Sequence, residues 1–114
     1  MAVTYVVVEG VLATTGTSLL YTAPSTVLMS IVRWGAFVNT DTGTARQAYL
    51  YKIPTAGSTN SASMIRVGAS GNTIAAGKTE TWDTLIFVAP SGRLYHQSDA
   101  ANAIATHMSI IEVS

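Results

Sequence analysis

The sequence predicts an all-β fold, a single antiparallel β-sandwich of about eight short strands in a jelly-roll or Ig-like order. Val, Ile, Thr and aromatic residues dominate the ordered stretches, as they do in strands. Gly, Pro, Asn, Asp and Ser gather between those stretches at hairpin-length intervals. At 114 residues the chain is long enough to bury one core without staples but not two, so residues 1–114 read as one domain.

The first strand is expected over Val3–Val8, with a possible extension to Ala13. Its MAVTYVVVEGVLATTG context has no basic segment before the apolar run, and Tyr5 and Glu9 interrupt that run, so it reads as a strand rather than a secretion signal. After TTGT comes Ser18–Thr22, and after TAPS comes Val27–Asn39. This third strand presents two apolar faces. One parity carries Val27, Met29, Ile31, Arg33, Gly35 and Phe37; the other carries Leu28, Ser30, Val32, Trp34, Ala36 and Val38. A half-buried strand alternates apolar and polar residues, because successive side chains point to opposite sides of the sheet. One parity is therefore expected on the core. The other is either partly covered within the fold or set against another subunit, with Arg33 as an interface ion-pair partner or a strand-edge residue reaching water.

NTDTG then turns the chain into Thr44–Ile53, in which Tyr49 and Tyr51 share a face. The polar stretch PTAGSTNSA, residues 54–62, is expected to form a hairpin tip, where recognition often sits. Strands follow at Ser63–Ala69, Lys78–Val88 and Arg93–Gln97, separated by ASGN with AAG and by APSG, where Pro presets φ and Gly accepts positive φ. SDAANAIAT, residues 98–106, has a capping residue and alanines, but a single turn or loop before a last strand at Ala103–Val113 is the better reading.

The composition narrows function mainly by exclusion. Hydrophobic residues make up 48% and charged residues 11%, against the roughly 25% charge of ordinary soluble domains. So few surface charges suggest a Ser/Thr/Asn-coated exterior partly covered by a partner. Six cationic and six acidic residues balance, and the cations lie singly, so the clustered charge that binds nucleic acid is missing. No run approaches the roughly 18 apolar residues of a membrane-spanning helix. The sequence has no cysteine, which excludes thiolate catalysis, disulfides and Cys-ligated zinc.

No constellation of reactive residues identifies a chemistry. His96 with Ser98 and Asp99 supplies the residue types of a nucleophilic triad, yet neighbours this close along a strand cannot align as a relay, and no nucleophile elbow accompanies them. His96, Asp99 and His107 lack a recognised metal-ligand spacing. Glu80 and Asp83 are three apart, on opposite faces of a strand, and read as a solvated edge rather than a glycosidase pair. Gly71, Gly77 and Lys78 do not make a phosphate loop. No enzyme activity, cofactor or metal is therefore expected. The tryptophans Trp34 and Trp82 are expected in the core or a subunit interface and the tyrosines on a sheet face, with saccharide stacking as the alternative use of these rings.

A Thr-rich first strand, LLYTAPS, a long apolar strand ending in NTDTG, AYLYKIP, IAAGKTETW, FVAPSGRLY and a closing MSIIEVS follow one another in this chain. Over residues 13–113 that succession resembles small β-sandwich structural proteins of tailed-bacteriophage virions. Arg33 and Trp34 interrupt what in that family is usually a plain alternation. The resemblance implies a virion location and a non-enzymatic role, foremost as a capsid cement or decoration protein. It further implies a symmetric homo-oligomer, trimer or dimer, that binds other virion subunits such as the major capsid protein.

On this reading Arg33, Trp34, Phe37, Tyr49 and Tyr51 are the candidate subunit interface, and Thr55, Ser58, Asn60 and Trp82 a candidate recognition surface. The alternative is a carbohydrate-binding adhesin module of a tail fibre, or another tail or neck component, with a glycan as ligand. Neither reading involves nucleic acid or membrane.

Overall fold

The computed structural model describes residues 2–11, 15–53, 64–65 and 73–114, and ten strands occur among them. They are β1 (Val3–Val11), β2 (Ser18–Thr22), β3 (Met29–Asn39), β4 (Arg46–Ile53), β5 (Met64–Ile65), β6 (Thr73–Ile74), β7 (Thr79–Trp82), β8 (Ile86–Val88), β9 (Arg93–Ser98) and β10 (Ile104–Val113). One sheet runs β1-β10-β3, with β7 and β8 both along the far side of β3. The other runs β2-β9-β4, with β5 and β6 both along β4.

All of these pairings are antiparallel, and the chain pairs from its ends inward: β1 with β10, β2 with β9, β3 with β7 and β8, β4 with β5 and β6. A long hairpin rolled up in this way is a jelly roll, which settles the choice left open between jelly-roll and Ig-like order.

Between the sheets lies a core built from Val32, Phe37, Leu50, Trp82, Val88, Leu94, Ile104, Met108 and Ile110. Tyr21, Ser30 and Asn39, polar and buried with it, are paired, whereas Trp82 Nε1 has no hydrogen-bond partner among the described residues. The Tyr21 hydroxyl donates to Glu112 Oε2 (2.5 Å) and shares a second hydrogen bond with Ser30 Oγ (3.0 Å). Asn39, at the end of β3, donates to the carbonyls of Thr44 and Ile74 (3.0 Å each) and accepts from the Asp41 amide (3.0 Å). That side chain fixes the turn the NTDTG segment makes and ties β6 to it.

Several expected elements are corrected. Lys78–Val88 is two strands, because β7 pairs with Gly35–Val38 and β8 with Ser30–Val32, leaving Asp83–Leu85 outside the ladder. Thr73–Ile74, read as punctuation, pairs with Arg46 and Gln47. Only Met64–Ile65 of the Ser63–Ala69 strand lies within the described residues. Residues 99–102 form a turn, with Asn102 left-handed at φ 57°, which is the loop of the two alternatives, a helical turn or a loop, expected before the last strand. In the APSG turn Ser91 takes the positive φ (63°), and Gly92 is required for space instead: a Cβ there would meet Ala89 O and Val88 Cγ1 at 2.9 Å.

Candidate functional site

The two-faced third strand is resolved by a β-bulge. Along β10 the register runs Val32 to Ile110 and then Trp34 to Ser109, so Arg33 is an extra residue with no partner. An inserted residue reverses the parity of everything beyond it. Ser30 and Val32 point inward before the bulge, and Gly35, Phe37 and Asn39 point inward after it. Met29, Ile31, Arg33, Trp34, Ala36 and Val38 make up the outward face. The two parities read from the sequence each hold half of the core and half of the surface.

Pairing carries that outward face across the whole sheet, because directly opposed residues share a side. Tyr5, Ile111, Ile31 and Phe87 form one continuous row over four strands. Val3, Val113 and Met29 lie to one side of it. Val7, Ser109 and Trp34 lie to the other, followed by Glu9, His107, Ala36 and Thr81. The large side chains here are open to solvent: Tyr5 is 72%, Val7 74%, Phe87 50% and Trp34 44% exposed.

Four strands at about 4.8 Å spacing and nine residues at about 3.3 Å rise give a footprint of about 19 by 30 Å. That lies at the upper end of the roughly 300 to 600 Å² of the largest patches on monomeric surfaces. Its charges are few. Glu9 lies 3.7 Å from His107 Nδ1, and Arg33 has no ion-pair partner among the described residues.

The proposed interface residues divide. Arg33 and Trp34 are on this face. Phe37 is not: it is 1% exposed, packed against Trp82 with ring centroids 5.0 Å apart, because the bulge turns it into the core. Tyr49 and Tyr51 belong to the other sheet. Tyr51 is buried and donates to Gln97 Oε1 (2.7 Å), while Tyr49 is half-buried and donates to Gln47 Oε1 (2.5 Å). Neither is continuous with Trp34.

Of the candidate recognition residues, Trp82 is corrected in the same way as Phe37. It is 5% exposed and lies over Gly35, whose missing side chain makes room for the indole. Thr55, Ser58 and Asn60 lie outside the described residues. Sequence reasoning missed Tyr5, Ile31, Phe87 and Ile111, which lie on three further strands as well as β3. The period-2 pattern of VTYVVVEGV was the available signal, but only the register shows which positions align.

The residues weighed for catalysis do not converge. His96 is buried on the inward face of β9, and its Nδ1 is 2.8 Å from Thr106 Oγ1. Burial pushes its pKa down to about 4, so the ring is neutral. His107 is on the outward face of the opposite sheet, and Asp99 accepts from the Gln47 amide in a turn. No cluster of metal-ligating side chains occurs among the described residues. Asp41, held below the usual carboxylate range by the Gly43 amide and then by Arg46, belongs to a turn with its ion pair at 2.7 Å. A shallow apolar cleft at the sandwich end, lined by Ile53, Phe87, Val88 and Gly92 beside Lys52, contains no carboxylate, imidazole or hydroxyl.

No protein-family model matches the sequence, and no curated protein does. The fold is similar to that in a solved structure of Bacillus endospore appendages, described as a family of disulfide-linked pili. The TM-score there is 0.58 at 12% identity, over 99% of this chain and 87% of that one. It is also similar to part of a chain in the structure of infectious bursal disease virus, Gx strain. There the TM-score is 0.50 at 16% identity, over 98% of this chain and 32% of the viral one. At these identities the likeness extends to the fold. Lacking cysteine, this chain cannot form the disulfide linkage named for the appendages.

Proposed function

We propose that this protein is a non-enzymatic structural subunit of a tailed-phage virion, a capsid cement or decoration protein that assembles as a symmetric homo-oligomer. The observation that carries this reading is the outward face of the β1-β10-β3-β7/β8 sheet, where one apolar row spans four strands. Burying a Val, Ile or Phe side chain contributes about 1.5 to 3 kcal/mol, and several such residues lie half or more exposed here. Together they offset the roughly 4 to 15 kcal/mol that association costs. The jelly-roll likeness to an appendage subunit and a virus protein supports a building-block role, and the segment order of the sequence supports the phage setting.

The carbohydrate-binding alternative loses its two best platforms, since Trp82 and Tyr51 are buried. Of the rings named for it Tyr49 remains, and residues 54–62 lie outside the described residues. Imaging of assembled particles carrying a labelled copy of this subunit tests the proposal: symmetric copies on the particle surface are expected. Label confined to a fibre tip, together with glycan binding lost in Tyr49→Ala, would replace it with the adhesin reading.

A further inference from the structure

We infer that the free edge of β1 is a self-pairing site, at which the β1 strands of two copies join antiparallel about a two-fold axis at Val7. The inference rests on the reading that the chain self-assembles and adds a second contact, made by backbone rather than by the sheet face. The reciprocal bonds Ala2 N to Ser114 O and Ser114 N to Ala2 O, both 2.9 Å, set the phase of the β1-β10 ladder. Even-numbered residues of β1 direct their N–H and C=O to β10, and Val3, Tyr5, Val7, Glu9 and Val11 direct theirs away from it. No described strand pairs with that side.

Native edges are normally blunted by short length, bulges, proline or lysine. The other edges here follow the rule among the described residues. β7 and β8 are short and separated, β5 and β6 span two residues each, and the five-residue β2 has a register shift between Leu19 and Tyr21. β1 does not follow it. It runs nine residues in unbroken register, is rich in valine, and contains no proline, lysine or bulge.

Its sequence also selects the occupant. Antiparallel pairing about Val7 sets Val3 opposite Val11, Tyr5 opposite Glu9 and Val7 opposite itself. All the outward-directed groups then pair, with about ten new backbone hydrogen bonds. Registers that oppose Glu9 to Glu9 are disfavoured by like charge. Two five-stranded sheets become one of ten, and their apolar faces become continuous.

Single-cysteine variants test this cleanly in a chain that has no cysteine of its own. In the proposed register two Val7 Cα atoms lie about 5.5 Å apart, within disulfide range, whereas two Val3 Cα atoms lie about 26 Å apart. Val7→Cys should form a disulfide dimer under mild oxidation at least tenfold faster than Val3→Cys on non-reducing gels. Val7→Pro removes an N–H that pairs with no described strand of the subunit, so it should raise the dimer dissociation constant at least tenfold above that of Val7→Ala, which trims the same outward side chain but keeps the N–H. Equal cross-linking of the two cysteine variants overturns the inference. A protein that remains oligomeric without Val7→Cys cross-linking overturns the edge contact alone, and a monomeric protein overturns the assembly reading with it.

Discussion

Gly35→Ala is the sharpest probe of the bulge that creates the outward face. If Arg33 reverses the parity of β3, position 35 points inward, where an added Cβ would lie 2.0, 2.3 and 2.4 Å from three indole atoms of Trp82. Carbon atoms rest at about 3.5 to 4.0 Å, so the indole would have to move by about 1.5 Å. It has little room, being 5% exposed and packed on Phe37. Overpacking costs about 1 to 3 kcal/mol, and expelling the indole about 3 to 5 kcal/mol, so a loss of about 3 to 5 kcal/mol is expected. With a urea m-value of about 2 kcal/mol/M the unfolding midpoint falls by about 2 M, read at one fixed protein concentration because assembly adds to stability. In a Trp82→Leu background the same substitution should cost under about 1 kcal/mol, since the two sites share one space. A Gly35→Ala protein within about 1 kcal/mol of the parent would place position 35 on the surface and refute the parity reversal.

Phe37→Asp should unfold the subunit, whereas Trp34→Asp should leave the monomer folded within about 1 kcal/mol and dissociate the assembly, as circular dichroism and light scattering will show. His96 favours its neutral form in the fold. Its contribution is therefore complete above about pH 6.5 and lost as pH falls toward 4, by about 2 to 3 kcal/mol after allowance for solvent screening. His96→Gln should flatten urea midpoints across that window, and an unchanged slope would contradict the neutral buried ring. Tyr21, pushed up to about 12 by burial and then by its bond to Glu112, stabilises below about pH 10 and loses that contribution as pH rises toward 12. Tyr21→Phe should abolish this alkaline loss and cost about 2 kcal/mol at neutral pH, measured by denaturation.

The sandwich was legible in the sequence because strand and turn chemistry are local. Pro24, the Asn39–Gly43 turn and the β-branched run bound β3 within two residues. What the sequence could not locate was the bulge. Parity is a property of a strand alone only while its register is regular, and the residue that breaks it, Arg33, is identified by its partner strand β10. Phe37 was consequently counted with the interface although it is core, while Trp82, expected in the core or a subunit interface and named also for the recognition surface, is core.

Arg33 and Trp34, named as interface candidates, lie on the outward face, both exposed at the bulge. The rest of the face combines β1, β10 and β8. Tyr5, Ile111, Ile31 and Phe87 are far apart in the chain, and no periodicity relates them. Tyr49 and Tyr51 share a face, as expected, but on the opposite sheet.

Sedimentation velocity of the intact chain across micromolar concentrations decides whether protein covers the outward face of the first sheet. A symmetric oligomer that dissociates to a folded monomer on Trp34→Asp or Phe87→Asp is expected. A parent chain that sediments throughout as a stable, soluble monomer would contradict it.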